Sequence, residues 1–414
     1  MLSISVSLRI GPSIMTQSDN QPYILYEHEV NASIHRLDAA WENPSTFAFL
    51  ADKSGTPLEW VEESLEKLPP EFRNDHFILF TSGSTGAPRM VIGDRRRAER
   101  LAVLLHDLQE AEPVRETLVA LPLTYCYAFV NQYLWARQCG RRLVLTDGFA
   151  RPDAFQTALE EARDAMLCLV GAQVPFLMQF FAGKTFPGLI RLHFAGGRFP
   201  QASLPFLQSL FPSATIFNNY GCAEAMPRLT LRRSEVSTLA HHIGWPLPGV
   251  EIKADEAGRM FFRSPYGAVA LADESGFTRI DATTWVPTGD MGRVEEDGHW
   301  QLTGREGEVF KRYGEKVSAA HLLNELREIW PGQADFFREQ DSRGEEGFVL
   351  LLAPTPQEEQ LRHILKHLRN RYSRPHWPLR IESTDALPLL PNGKIDRQAL
   401  SQLTDTVVQW RQRI

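Results

Sequence analysis

"FILFTSGSTGAPRMVIGD", residues 77–94, decides how the rest of the chain is read. Phe77 to Phe80 are apolar or aromatic, Thr81 to Ala87 are small or hydroxylated, and Met90 to Ile92 are apolar again. Gly83 and Gly86 let backbone N–H groups approach a ligand closely, and Thr81, Ser82, Ser84 and Thr85 add hydroxyl donors. Such a set can cradle phosphate oxygens. A Ser/Gly surface turn has the same composition, so other segments must separate the two readings. A Walker-type loop is excluded. It needs GxxxxGK followed by Ser or Thr between a strand and a helix. Counting from Gly83, its second glycine would fall at Pro88, and strand-like segments flank the loop on both sides.

Composition narrows the classes. The 414 residues, 43% hydrophobic and 23% charged, suit an ordinary globular protein of two or three domains. A net charge of −7 gives no reason to expect nucleic acid or an anionic membrane as partner. Cys126, Cys139, Cys168 and Cys222 show no metal-ligand spacing and suit reduced thiols. No signal-peptide core and no run of roughly 18 apolar residues occurs, so a cytoplasmic protein is expected.

Short apolar runs at 118–123, 141–146, 165–170, 189–197 and 214–221 alternate with helical patterns such as 94–109 and 153–165. That rhythm predicts an α/β fold: a layered large N-terminal domain with a mostly parallel sheet. Turn-rich strands follow at 249–265 and 292–304, the latter turning at "EDG". A small α+β tail with helices near 318–329 and 356–373 completes the chain. The boundary is placed at Arg305, giving domains 16–304 and 305–414.

Further motifs stand in order after the loop: "HFAGGRF" (193–199), "NNYGCAEA" (218–225), "PTGDMGRV" (287–294), "GREGEVFKRYGEK" (304–316) and "LPLLPNGKIDRQAL" (387–400). Together with the loop they resemble the acyl-adenylate-forming superfamily of acyl-CoA synthetases, carrier-protein adenylation domains and luciferases. The resemblance covers nearly all the chain after residue 75. It implies that ATP is cradled by Thr81, Ser82, Gly83, Ser84, Thr85 and Gly86, with Arg89 at the usual lysine position. It implies that Gly196 and Gly197 border adenine and the acyl group, with Arg198 replacing a small residue. It places Asn219, Tyr220 and Gly221 at the nucleotide, with the Tyr220 ring against adenine. Glu224 would hold the Mg²⁺ that bridges the ATP phosphates, and Ala223 replaces the usual threonine. Asp290 would accept both ribose hydroxyls, an acceptor-only group suited to a diol, and Arg305 would contact the ribose. Lys311 and Gly314 would lie where pantetheine enters, Gly307 would sit at a hinge, and Lys394 would be the mobile catalytic lysine.

The mechanism so implied needs no general base, because a carboxylic acid is ionised at neutral pH. "PLTYCYAF" (122–129) resembles the acyl-pocket segment. Tyr125, Tyr127, Phe129, Val174, Pro175 and Tyr220, with Cys222 and Ala223, suggest a compact aromatic wall. A small carboxylic acid is expected, either an aryl acid such as a hydroxybenzoate or a short acyl acid. The acceptor would be a phosphopantetheine thiol, on an acyl carrier protein or on CoA. Lys311, Arg312 and Lys316 together favour an acidic carrier protein. A non-catalytic nucleotide-binding relative and a luciferase-type oxidase are the alternative readings. The loop comes earlier than in full-length relatives, which implies a shortened N-terminal subdomain.

Overall fold

Strands in which every residue is buried need a covering layer on both faces. The run "AMLCLV" becomes such a strand over Ala165–Val170, as does "ETLV" over Glu116–Val119. The computed structural model describes residues 21–52, 56–82, 88–196, 199–239, 241–305, 309–313, 315–389 and 395–412. The chain divides into two units, Met1–Ile78 and Leu79–Ile414.

The first unit contains β1 (Tyr23–Tyr26), α1 (Glu27–Ala32), α2 (His35–Glu42), β2 (Phe47–Leu50), α3 (Leu58–Glu66) and the start of β3 (His76–Ser82). β2 pairs in parallel with β1 and with Phe77 and Ile78 of β3. Trp41 of α2 stands over this sheet, its ring 5.3 Å from that of Phe77.

The second unit opens with β4 (Pro88–Asp94) and α4 (Arg95–Leu108). The Asp94 carboxylate accepts from the Arg97 N–H at 2.8 Å and caps the helix. Ala98, Leu101, Ala102 and Leu105, spaced for one helical face, are buried. Then come β5 (Glu116–Val119), α5 (Cys126–Ala128), a π-helical turn at Phe129–Leu134, α6 (Trp135–Gln138), β6 (Arg142–Leu145), α7 (Pro152–Glu161), β7 (Ala165–Val170), α8 (Val174–Phe181), β8 (Leu189–Ala195), α9 (Leu204–Leu210) and β9 (Thr215–Tyr220). Antiparallel strands follow: β10 (Thr230–Arg233), β11 (His242–Pro246), β12 (Glu251–Ala254), β13 (Arg259–Arg263), β14 (Ala270–Asp273), β15 (Gly276–Arg279), β16 (Val286–Val294) and β17 (Trp300–Arg305).

One sheet runs in the order β12-β13-β16-β17-β11-β10-β9-β8-β7-β5-β6. The pairs from β9 to β6 are parallel, as the alternating rhythm predicts. At β10 the sheet turns antiparallel and takes in both turn-rich hairpins. β4 pairs instead with β14, which pairs with β15.

The remainder is a small α+β assembly. β18 (Val309–Arg312) and β19 (Glu315–Ser318) form a hairpin, followed by α10 (Ala319–Ile329), β20 (Gln333–Gln340), β21 (Glu346–Ala353), α11 (Glu358–Arg371), β22 (Arg380–Ser383), α12 (Arg397–Leu400) and β23 (Val407–Arg411). Its core joins Leu322, Leu326, Phe336, Leu350, Ile364 and Ile381. Arg312 corrects an expectation here. Its side chain is 1% exposed, and its guanidinium donates to the carbonyls of Pro375 (3.3 Å) and Trp377 (3.0 Å) and to Gln412 Oε1 (3.1 Å). The Asp341 carboxylate lies 3.6 Å away. Arg312 ties the hairpin to the small core and cannot present its charge to a partner. The side chains of Lys311 and Lys316 lie outside the described residues.

The two faces of the parallel half differ. On one, Leu167, Leu169, Leu192, Phe194 and Ile216 meet α7, α8 and α9 in an apolar core. On the other, His193 and Asn219 face Asn131, Tyr127 and Arg228 in a buried polar layer. His193 is fully buried, with its ring stacked on Phe217 at 4.8 Å. Burial, with Arg228 and Arg191 nearby, holds its pKa well below the ordinary 6.5. Below pH 6.5 the unfolded chain takes up a proton that the folded one refuses, so stability falls as pH falls. Urea unfolding between pH 7 and 5 should show that loss. His193→Gln should lessen it by up to one proton, about 1.4 kcal/mol per pH unit. An unchanged slope would mean that His193 does not titrate this way.

Candidate active site

β9 delivers Tyr220 to the C-terminal end of the parallel strands, where open α/β sheets place their ligands. The chain then leaves the sheet, turns, and returns as β10, with the Leu229 N–H donating to the Tyr220 carbonyl at 2.9 Å. Gly221 is required by that return. A Cβ there would lie 1.8 Å from the Pro227 carbonyl oxygen, well inside contact distance. Within the turn Ala225 N–H donates to Cys222 O and Met226 N–H to Ala223 O, both at 3.0 Å. The Glu224 carbonyl accepts from the Ala268 N–H at 2.9 Å, fixing the backbone that carries its side chain.

The Glu224 carboxylate is 18% exposed and lies 3.6 Å from Nη1 of Arg89, which stands on β4. The other arm of Arg89 is 3.6 Å from Asp273 at the end of β14. Asp273 is fixed by the N–H (3.0 Å) and hydroxyl (2.5 Å) of Ser275. Those bonds, and then Arg89, hold its carboxyl below the usual carboxylate range.

Behind Tyr220 a second carboxylate converges. Gly289, with a positive φ of 73°, makes the bend that Asp290 follows. Asp290 Oδ2 accepts from the Tyr220 hydroxyl and Oδ1 from Arg305 Nε, each at 2.9 Å. Thr288 fixes the backbone between them, accepting from Asp290 N–H at 3.0 Å and donating to Met260 O at 3.1 Å. Asp290 and Arg305 are opposite one another in the β16–β17 register.

The Tyr125–Tyr127 segment reaches the same turn. Cys126 Sγ is 3.9 Å from both Ala223 O and Met226 Sδ. Tyr125 and Tyr127 are half-buried, whereas Phe129 and Val174 are buried, Val174 within the core under the helices. Burial pushes the Cys222 thiol well above its ordinary pKa, helped by Glu224, and Cys168 up to about 11. Both stay protonated and unreactive at neutral pH.

Arg89, Tyr125, Tyr127, Asn219, Tyr220, Gly221, Cys222, Ala223, Glu224, Asp290 and Arg305 are thus joined through direct contacts or adjacent positions. Thr81 and the Ser82 backbone end β3, and Gly196 follows β8. Gly83, Ser84, Thr85, Gly86, Gly197, Arg198, Gly307, Gly314 and Lys394 lie outside the described residues. Asp273 and Arg228 escaped the sequence reading. Asp273 sits in "ADESG", which reads as a turn, but "FVNQYLW" carried a usable signal. Two adjacent amides in an apolar run mark a buried polar layer that needs partners.

Residues 14–270 match the family of AMP-binding enzymes. The chain belongs to that family. It is 24% identical over 355 residues to a linear gramicidin synthase protein of Brevibacillus parabrevis, a match covering 79% of this chain and 7% of that much longer one. It is 23% identical over 348 residues to the D-alanine–D-alanyl carrier protein ligase of Staphylococcus haemolyticus, covering 79% and 70%. The o-succinylbenzoate CoA synthetase of Bacillus subtilis, solved with its acyl-adenylate intermediate, superposes at a TM-score of 0.71 and 18% identity, covering 93% of this chain and 89% of that one. That likeness establishes a shared fold.

Gly221→Ala should distort the turn carrying Glu224, because Pro227 O is backbone and cannot rotate away. We expect a lower melting temperature, with hydrogen exchange rising first over residues 220–229. A variant as stable as the parent, with that segment unchanged, would show that the turn accommodates a Cβ.

Proposed function

We propose that this AMP-binding enzyme is an ATP-dependent acid–thiol ligase. It activates an aryl or short acyl carboxylic acid as acyl-AMP and passes the acyl group to a phosphopantetheine thiol. The carrying observation is that Tyr220, Asp290 and Arg305 meet at one carboxylate while Glu224, four residues on, faces Arg89. A diol-binding acceptor gripped by Tyr220, and a metal-binding carboxylate four residues beyond that tyrosine, suit the two ends of a nucleoside triphosphate.

The residues fit magnesium delivered with ATP. Among the described residues no three His, Cys, Asp or Glu side chains converge on a metal site. Mg²⁺ prefers one or two carboxylates, with phosphate oxygens and water for the rest. Glu224 would hold it, and the bound ion would supply charge neutralisation at the phosphates.

The acid's carboxylate oxygen attacks the α-phosphorus of ATP. A new P–O bond forms, the α–β anhydride bond breaks, and pyrophosphate leaves. Two anions meet in that step, so fixed positive charge lowers the barrier. Arg89, the hydroxyls and N–H groups of residues 81–86, and Lys394 are assigned that task. The thiol sulfur then attacks the acyl carbon, AMP departs, and the thiol proton passes to solvent. Rotation of 305–414 against 16–304 would exchange Lys394 for the 311–314 segment between the half-reactions.

An acyl carrier protein is the first-choice acceptor, in keeping with the carrier-protein ligase among the relatives. Burial of Arg312 removes one of the three cations that favoured it. CoA is the second reading, in keeping with the CoA ligases among the relatives.

Acid-dependent pyrophosphate release across benzoate, 4-hydroxybenzoate, cinnamate and butanoate tests the first half-reaction. Release that no acid stimulates would overturn the proposal. Transfer to holo carrier protein and to CoA, measured side by side, decides the acceptor. Lys394→Ala should abolish pyrophosphate release yet leave thioester formation from pre-made acyl-AMP nearly intact. Equal loss in both half-reactions would assign the lysine a structural role.

A further inference from the structure

The polar layer beneath the sheet contains a cation with no acid. Arg228 is 1% exposed. Its Nη1 donates to Asn219 Oδ1 at 2.5 Å and its Nη2 to Asn131 Oδ1 at 2.6 Å. Its guanidinium carbon lies 5.8 Å from the centre of the Tyr127 ring. Among the described residues Nε has no partner and no carboxylate pairs with it. Burial lowers its pKa to about 10, so it remains cationic at neutral pH.

Burying a guanidinium against neutral acceptors is costly, and apolar residues could fill the same volume more cheaply. What they could not do is hold two amides in fixed positions at once. Asn219 directly precedes Tyr220, whose hydroxyl grips Asp290. Its Nδ2 also reaches Tyr127 Oη and His193 Nδ1, each at 3.3 Å. Asn131 sits on the π-helical turn that follows Tyr125 and Tyr127, and its amide is further tied to Gln109 and Cys168, each at 3.0 Å. Arg228 itself closes the turn that carries Glu224.

We infer that Arg228 is a positioning residue that locks the acyl-side segment, Tyr125–Asn131, to the nucleotide-side motif, Asn219–Glu224, and so sets how well the enzyme binds its acid. The inference rests on the acid-ligase reading for its kinetic consequence but not for its structural one. The planar fork of arginine spans two separate amide oxygens. Lysine keeps the charge and can donate to both from a single nitrogen. Methionine keeps the bulk and loses both bonds.

The experiment compares the parent with Arg228→Lys and Arg228→Met in the full chain. By hydrogen exchange, Arg228→Met should loosen 125–134 and 218–224 together and leave the α7–α9 face unchanged. With the best-turned-over acid of the four-acid panel, it should raise KM for the acid at least tenfold, and KM for ATP less than threefold because Tyr220 and the Glu224 backbone keep their ties to Asp290 and Ala268. Arg228→Lys, which keeps the charge but not the fork, should recover part of both effects. Loosening of one segment alone, loosening of the whole unit, or no local change overturns the lock, whether or not any acid is turned over. Equal rises in both KM values, or a lysine variant no better than methionine, overturn the positioning role even where the ligase activity itself stands. Absence of pyrophosphate release from the parent defeats the ligase reading alone, because the exchange pattern still decides the lock.

Discussion

A single carboxylate, that of Asp290, carries two donors that arrive from different parts of the sheet. Tyr220 ends the last parallel strand, and Arg305 ends β17 in the antiparallel extension. Their weights differ. The Arg305 side chain is 63% exposed, so its pairing is screened by water and adds little. The Tyr220 side chain is nearly buried, and a hydrogen bond to a charged group there contributes about 1.5–3 kcal/mol. The tyrosine therefore fixes where the carboxylate sits, and the arginine adds only a screened contact at its second oxygen. Each oxygen of an ionised carboxylate has two lone pairs, so one donor does not exhaust either oxygen.

What the sequence disclosed and what it hid follow from the range of each interaction. Ala165–Val170 is legible because a strand buried on both faces must be apolar at every position. Gly221 is marked only through the superfamily resemblance, although the close approach that excludes a side chain there is local, six residues apart. Neither condition holds for Arg312. A surface cation is the ordinary expectation for arginine. The carbonyls that bury this one belong to residues 375 and 377, over sixty positions away. The order of the eleven strands is hidden for the same reason, since β11 pairs with β17 across two intervening hairpins.

The contrast between the two faces of the parallel sheet also divides structural from functional residues. The α7–α9 face is a close-packed apolar core, where residues are interchangeable at constant volume and shape. The opposite face spends buried polar groups on Asn131, Gln132, His193, Asn219 and Arg228. Gln132 donates to Thr117 Oγ1 at 2.8 Å and to Leu118 O at 2.7 Å, binding the π-helical turn to β5. Buried polar networks are costly when any member lacks a partner, and they fix geometry when partners are present. Tyr127 is the half-buried member of this layer, and its position is thereby set by the sheet rather than by a flexible loop.

The pairing of Arg89 with two acids is weak in a way that suits exchange. Both distances are 3.6 Å, beyond hydrogen-bond range, and the Arg89 side chain is 31% exposed. Pairs of that kind contribute roughly 0–1 kcal/mol, so Glu224 and Asp273 hold the arginine only loosely. Its buried Nε has no acceptor among the described residues, and such a donor costs about 1–3 kcal/mol until it finds one. On the ligase reading, phosphate oxygens supply that acceptor and release Glu224 toward the metal. A guanidinium offers five N–H donors in a fixed fork where an ammonium offers three on a flexible stem. On the same reading, arginine at 89 offers the phosphates more directed donors than the superfamily's lysine would.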